Sequence, residues 1–383
     1  MSVTPKPDAI MVRGQGSELW DQRGRRYLDF VQGWAVNSLG HSPEVVQRAL
    51  TEQAATLINA GPAYHNAPAL AFANALTQRA RLERTFLCSS GAEANEGAIK
   101  LARKWGSLHK AGAFEIITTT GSFHGRTLAT MAASGKPGFA QIFPPIMPGF
   151  VHVPYGDTTA VERAIHAQTV AVMVEPIQGE GGVVVPPASY LRELRELTRA
   201  RGILLILDEI QTGMGRTGRM FAYEHHDLLP DILTLGKGIG AGLPLAALLA
   251  SEEVSCFAPG DQGGTYSMHA LQSAVGLAVL QELDRPGFLE GVVASERHLS
   301  AGLRELSQRH GLGEVRGAGL LLALDLARPI GPAIVSEAFL RGLLVNSPRA
   351  DTLRFVPALN VSHAHIDEML SMLDAILKPL RAS

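Results

Sequence analysis

The sequence has only two cysteines in 383 residues, Cys88 and Cys256. A small secreted scaffold held by disulfides needs more. Charge is also sparse: charged residues make up 18%, below the ~25% of an average soluble domain. The 34 basic and 36 acidic residues leave a formal net charge of -2, which argues against a nucleic-acid binder working through a basic face. No apolar run approaches the ~18 residues that read as a membrane span, and Leu243–Ala250 is typical of the longest. The opening MSVTPKPDAIMVRGQG has no apolar core of the signal-peptide kind. Lysine is scarcer than arginine, with only seven copies: Lys6, Lys100, Lys104, Lys110, Lys136, Lys237 and Lys378. The expectation is a cytoplasmic protein acting away from membranes and nucleic acid.

What is present is apolar and glycine-rich. Hydrophobic residues make up 46% and there are 40 glycines, so disorder is excluded and the length suits two or three domains. Glu18–Tyr27 reads as two short strands around a turn, and Pro43–Ala55 as a helix with Ser42 as its cap. The middle of the chain alternates. Arg84–Cys88, Glu115–Thr119, Val170–Val174, Ile203–Leu207, Asp231–Leu235 and Pro244–Ala250 read as strands. Ala92–Trp105 and Tyr190–Ala200 read as helices. The continuous apolar runs suit strands buried on both faces of a parallel sheet. After Ser273, long helices and short strands suggest a separate α+β unit that packs with the N-terminal strands, because neither piece has enough core alone. The expected division is residues 1–45 and 276–383 in a small domain and residues 46–275 in a large one.

Four segments carry chemistry. Lys237 follows a strand, with Gly236, Gly238, Gly240 and Gly242 around it. A lysine there can lose solvent, its pKa falls, and it can act as a Schiff-base nucleophile; a surface lysine in a glycine turn is the plainer reading. Neither a phosphate loop nor a dinucleotide fingerprint fits, because the glycine positions are taken by Asp231 and Ala241. Asp208 ends the most apolar strand, where α/β sheets present ligand-binding groups. Ser90 with Glu93 spells a capping box, so the N–H groups of Ser90, Gly91 and Ala92 would face an anion at a helix start. Phe123-His124-Gly125-Arg126 offers an aromatic face, an imidazole and a guanidinium suited to a carboxylate. A lysine nucleophile, an acid for a ring nitrogen, an anion-binding helix start and an aromatic plate are together what pyridoxal phosphate requires.

Read together, Leu28–His41 (LDFVQGWAVNSLGH), Ser90–Glu96 (SGAEANE), Phe123–Thr127 (FHGRT), Val174–Gly182 (VEPIQGEGG), Asp208–Gly213 (DEIQTG), Gly236–Gly238 (GKG) and Arg354–Asn360 (RFVPALN) resemble the class III, ornithine-type aminotransferases, over essentially the whole chain. The resemblance implies the fold-type-I pyridoxal phosphate architecture: an α/β large domain with a mostly parallel central sheet, and a small α+β domain built from both termini. It implies that Lys237 holds the cofactor, Asp208 pairs with the ring nitrogen and Gln211 lies near the ring hydroxyl. Phe123 and Ile210 would flank the ring, and Ser90, Gly91 and Ala92 would hold the phosphate. Thr265 would complete the phosphate site from a second subunit of a homodimer with shared active sites. Arg126 would bind a substrate carboxylate, Arg354 the α-carboxylate of 2-oxoglutarate or glutamate, and Glu180 would pair with Arg354 when the other substrate is bound. Tyr64 would stand near the substrate entrance. The implied reaction moves the δ-amino group of N2-acetylornithine to 2-oxoglutarate, in arginine biosynthesis.

The chain departs from the family pattern at Ser267-Met268-His269-Ala270, at His65 and at Trp34. These departures leave N-succinylornithine, N-succinyl-diaminopimelate, ornithine and 4-aminobutyrate open as amino donors. They also leave open an impaired paralogue that only binds the cofactor.

Overall fold

The computed structural model describes residues 1, 3–4 and 6–380. The apolar runs of the middle segment assemble into one seven-stranded sheet. Its order is Arg84–Cys88, Ala246–Ala250, Ile232–Leu235, Leu204–Asp208, Thr169–Val174, Glu115–Thr119 and Phe150–Val153. The last five of these pair in parallel, and only Ala246–Ala250 runs against its two neighbours. Every residue of Thr169–Val174, Leu204–Asp208 and Ile232–Leu235 is buried, as helix-covered parallel strands require. The helix Tyr190–Arg201 covers one face and buries Leu191 and Leu194. The helix Gly91–His109 buries Ala94, Ala98, Ile99, Leu101 and Ala102.

Two four-stranded sheets flank this core. In one, the N-terminal strands Met11–Gln15, Glu18–Asp21 and Arg26–Asp29 are joined by the C-terminal pair Leu343–Leu344, with Leu343 opposite Leu28. In the other, Val315–Ala318, Leu321–Asp325, Thr352–Phe355 and Asn346–Arg349 form an antiparallel sheet, in that order, that carries Arg354. The N- and C-terminal strands therefore pack together, as the shortage of core in each piece requires.

Local details differ from the sequence expectations in physically readable ways. The helix expected from Pro43 spans Glu44–Ala54 with Pro43 itself in the cap position, because the backbone of Pro43 is extended (ψ 139°). The helix Ala67–Ala80, which the sequence reading passed over, starts at Asn66. The Asn66 side chain accepts from the Ala69 N–H at 2.9 Å and donates to the Met268 carbonyl at 2.8 Å. One side chain thus joins two stretches that depart from the family pattern, Tyr64–Asn66 and Ser267–Ala270. Asn66→Ala is expected to cost about 1–2 kcal/mol of stability and Asn66→Asp, which keeps the cap but not the donor, less. Chemical denaturation of the two variants against wild type reads the difference, and equal stability of all three would remove this role.

Candidate active site

The five parallel strands end on the same edge of the sheet, and the turns leaving their carboxyl ends converge there, joined by the turn after the antiparallel-paired Arg84–Cys88. Gly91, Ala92, Phe123, His124, Gly125, Arg126, Glu175, Glu180, Asp208, Ile210, Gln211 and Lys237 line one cavity of about 300 Å³. That is the lower end of the ~300–1,000 Å³ usual for small-molecule sites. Its residues come from sequence positions more than a hundred apart, brought together because strand ends of a parallel sheet share one edge.

Lys237 follows the strand Ile232–Leu235 in a left-handed conformation (φ +46°) that non-glycine residues adopt rarely. Such strain persists only where the surroundings hold it. Here the buried Ser38 hydroxyl donates to the Gly238 carbonyl at 2.9 Å and fixes the next peptide. Loss of solvent holds the Lys237 amine below its usual range, with Arg354 adding to the effect and Glu180, Asp208 and Glu175 opposing it.

Asp208 is buried at the end of Leu204–Asp208. Its Oδ2 accepts from His124 Nδ1 at 2.8 Å and from Asn95 Nδ2 at 2.8 Å, and its Oδ1 from the Ile210 N–H at 3.0 Å. Burial alone would lower the pKa of His124, but the hydrogen bond to Asp208 outweighs it and the imidazole is held above its ordinary value. Ile210 lies against two glycines: a Cβ on Gly91 would stand 2.7 Å from its Cδ1, and one on Gly236 3.2 Å from its Cγ2. A side chain at Gly91 would force the isoleucine to shift, and one at Gly236 would press on it more lightly.

The helix start has the expected cap, with a different closure. Ser90 Oγ accepts from the Glu93 N–H at 3.3 Å, while the Glu93 carboxylate takes the Ser89 N–H at 3.1 Å and the Ser90 hydroxyl at 3.0 Å. Gly91 and Ala92 line the cavity beside it. Arg126 is exposed at the rim, its guanidinium 5.8 Å from the Phe123 ring and 5.9 Å from Phe139.

Behind Glu180 and Gln211, which line the cavity, Arg354 is fully buried. Its Nη1 donates to Glu180 Oε1 at 2.7 Å, to the Gly179 carbonyl at 2.9 Å and to Gln211 Oε1 at 3.2 Å, and its Nε to Asn346 Oδ1 at 3.1 Å. Nη2 has no hydrogen-bond partner among the described residues. Burial would raise Glu180, but Arg354 wins and holds its carboxyl below the ordinary value. Glu175, which the sequence reading did not single out, joins two of these turns. Its Oε1 accepts from the Phe123 N–H at 2.9 Å and its Oε2 from the Gly179 N–H at 3.3 Å. Burial pushes Glu175 up to about 7.

Of the residues expected from the sequence, Thr265 and Tyr64 stand outside this cavity and are exposed on their own chain. Ser90 is exposed at its edge. Asn95, which donates to Asp208, and Glu175 were not expected from the sequence, although both lie inside motifs that carry the family resemblance.

The residues present fit pyridoxal phosphate on grounds internal to the structure. A strained, desolvated lysine, a buried carboxylate held by three donors and a glycine cradle at a capped helix start line one cavity of the right size, and a guanidinium with an unpartnered nitrogen lies behind two of its residues, Glu180 and Gln211.

Comparison with known proteins places this architecture. A profile of the class-III aminotransferase family matches residues 2–377. Acetylornithine aminotransferase 2 of Bordetella bronchiseptica is 54% identical over 384 aligned positions, covering 100% of this chain and 97% of that protein. The acetylornithine aminotransferase of Ralstonia nicotianae is 52% identical, covering 99% and 96%. Among solved structures, the ornithine aminotransferase of Toxoplasma gondii superposes with a TM-score of 0.94 at 31% identity, covering 99% of this chain and 93% of that one. The N-acetylornithine aminotransferase of Stenotrophomonas maltophilia gives 0.87 at 37% identity, covering 98% and 97%.

Proposed function

The chain belongs to the class III aminotransferases, and from that premise we propose that it transfers the δ-amino group of N2-acetylornithine to 2-oxoglutarate, giving N-acetylglutamate 5-semialdehyde and glutamate, in arginine biosynthesis. The choice of donor is supported by full-length relatives at 52–54% identity that bear the acetylornithine name. The reaction type is supported by one observation above the others: Lys237 and Glu180 line a single cavity, and Glu180 is held there by the buried Arg354.

Pyridoxal phosphate, the cofactor of this family, supplies the electron sink that lets a proton leave the carbon bearing the amino group. The protein supplies the rest. Lys237 would anchor the cofactor, and its desolvated amine would move the proton. Asp208 would serve the ring nitrogen, and Phe123 and Ile210 would flank the ring. Gln211 would lie near the ring hydroxyl. The N–H groups of Ser90, Gly91 and Ala92 take the phosphate at the positive end of the helix Gly91–His109. Arg126 takes the carboxylate of the donor at the rim, near Tyr64. Arg354 takes the α-carboxylate of the dicarboxylate in the second half-reaction, after Glu180 lets it go. A buried guanidinium left without an anion would be costly, so Glu180 serves as its partner whenever the monoamine donor occupies the site. Thr265 and Tyr64, exposed on their own chain, are assigned to the shared cavity of a homodimer. No helix among the described residues is long and apolar enough to cross a membrane.

The test is a half-reaction without acceptor. With cofactor bound, N2-acetylornithine should bleach the visible band and release the semialdehyde, and 2-oxoglutarate should restore the band. Ornithine, N-succinylornithine, N-succinyl-diaminopimelate and 4-aminobutyrate should each act with lower kcat/KM. A band that glutamate bleaches and N2-acetylornithine does not would sink the donor assignment and leave the transaminase intact.

A further inference from the structure

Asparagine inside a helix is unfavourable unless its amide has partners, because it competes with the backbone for hydrogen bonds. Asn95 sits one turn into the helix Gly91–His109 and is completely buried. Its amide has a partner on each side. Nδ2 donates to the His124 carbonyl at 2.7 Å and to Asp208 Oδ2 at 2.8 Å, and Oδ1 accepts from the Thr234 hydroxyl at 2.7 Å. A carbonyl can only accept, so the side of the amide facing His124 must be its nitrogen. The same nitrogen then faces Asp208 as a donor. Thr234 is fixed in turn by strand pairing, since it stands opposite Asp208 in the register of the two parallel strands.

We propose that Asn95 is a positioning residue for the Asp208 carboxylate, holding it in place as the anion that serves the cofactor's ring nitrogen; this rests on the reading of Asp208 given above. The titratable groups around Asp208 are His124, Glu175 and Lys237. Oδ2 therefore has two donors of different character. His124 can change its charge, whereas the Asn95 amide cannot. Asn95 supplies a donor that persists at every pH and faces the Asp208 carboxylate at 2.8 Å. Thr234 acts one step further back, by keeping the amide from turning over and presenting its oxygen to the carboxylate.

The experiment compares the cofactor-bound wild type with Asn95→Ala, Thr234→Val and Thr234→Ser. Three quantities are read: the dissociation constant of pyridoxal phosphate by equilibrium dialysis, the pH midpoint of the visible band, and kcat with both KM values. Asn95→Ala is expected to weaken cofactor binding by about tenfold, in line with a lost hydrogen bond to a charged group. It should also move the pH midpoint by about half a unit or more and lower kcat while leaving both KM values within about threefold. Thr234→Val, which keeps the side-chain shape, should move the same three quantities in the same sense by less, and Thr234→Ser should restore them. Because Thr234→Val opens no cavity of consequence, it carries the test even if Asn95→Ala does not fold. A wild type that binds no cofactor would overturn the proposal together with the reading beneath it. A wild type that binds it, with a folded Thr234→Val or Asn95→Ala variant keeping both the dissociation constant and the midpoint, would overturn the proposal alone.

Discussion

Lys237→Ala is expected to reduce turnover by on the order of 10⁴-fold, because it removes both the covalent anchor and the group that moves the proton. Stability should change little, within about 1 kcal/mol, since alanine meets the same left-handed backbone that lysine tolerates at φ +46°. Lys237→Arg separates charge from nucleophilicity. It keeps a cation beside Glu180 and Asp208 but cannot lose its proton, so it should be as inactive as the alanine variant. A chemical readout goes with the kinetics. Burial holds the Lys237 amine below its usual range, so more of it is neutral near physiological pH than of an exposed lysine. Borohydride reduction of the protein with stoichiometric pyridoxal phosphate should therefore mark the peptide carrying Lys237 and leave the other six lysines unmodified. Turnover by Lys237→Ala within tenfold of wild type, or labelling spread over several lysines, would remove Lys237 from its place in the mechanism.

The scarcity of lysine made that residue findable in the sequence, and continuous apolar runs made the central strands findable, because burial on both faces leaves no polar alternation to confuse. The functional turns were legible for a related reason. They follow those strands directly, so that Asp208, Lys237 and Phe123 fall where a parallel sheet presents its ligands. Other features lay beyond local pattern. Asn95 meets Asp208 and Thr234 across separations of 113 and 139 residues, and in the sequence it is only an unfavourable helix residue. The strands Val315–Ala318 and Asn346–Arg349 contain glycine or proline and are held by pairing with neighbours, which no local propensity reports. The chain Gln32–Ala35 turns in the left-handed region at all four residues, a conformation that costs roughly 1–2 kcal/mol per non-glycine residue and so is set by its surroundings. That turn carries Trp34, half-exposed, one of the three departures from the family pattern.

Arg354→Ala should separate the two half-reactions. Arg354 is fully buried and directs a single nitrogen, Nη1, to Glu180, Gly179 and Gln211 together, while its Nη2 has no partner among the described residues. A guanidinium arranged this way can meet a carboxylate with two parallel hydrogen bonds once Glu180 moves aside. Without it, kcat/KM for 2-oxoglutarate and glutamate should fall by about 10²–10³-fold, the range for truncating one member of a buried, hydrogen-bonded charge pair. The reaction with N2-acetylornithine should fall by less than about tenfold, because its carboxylate is assigned to Arg126 at the rim. The variant should also be less stable by about 3 kcal/mol, the lower end of the cost of breaking a buried pair, since Glu180 retains some contact with solvent. Glu180→Gln makes the opposite prediction. It leaves Arg354 without a neutralising anion, which favours a dicarboxylate in the site and disfavours the monoamine donor. The dicarboxylate half-reaction should then be preserved or improved while the donor half-reaction is impaired. Single-turnover absorbance changes with each substrate measure the four values. If Arg354→Ala weakened both half-reactions equally, the arginine would be supporting the cavity as a whole. If Glu180→Gln then behaved like Arg354→Ala, the exchange of one carboxylate for another at Arg354 would have to be abandoned as the means by which a single pocket takes both substrates.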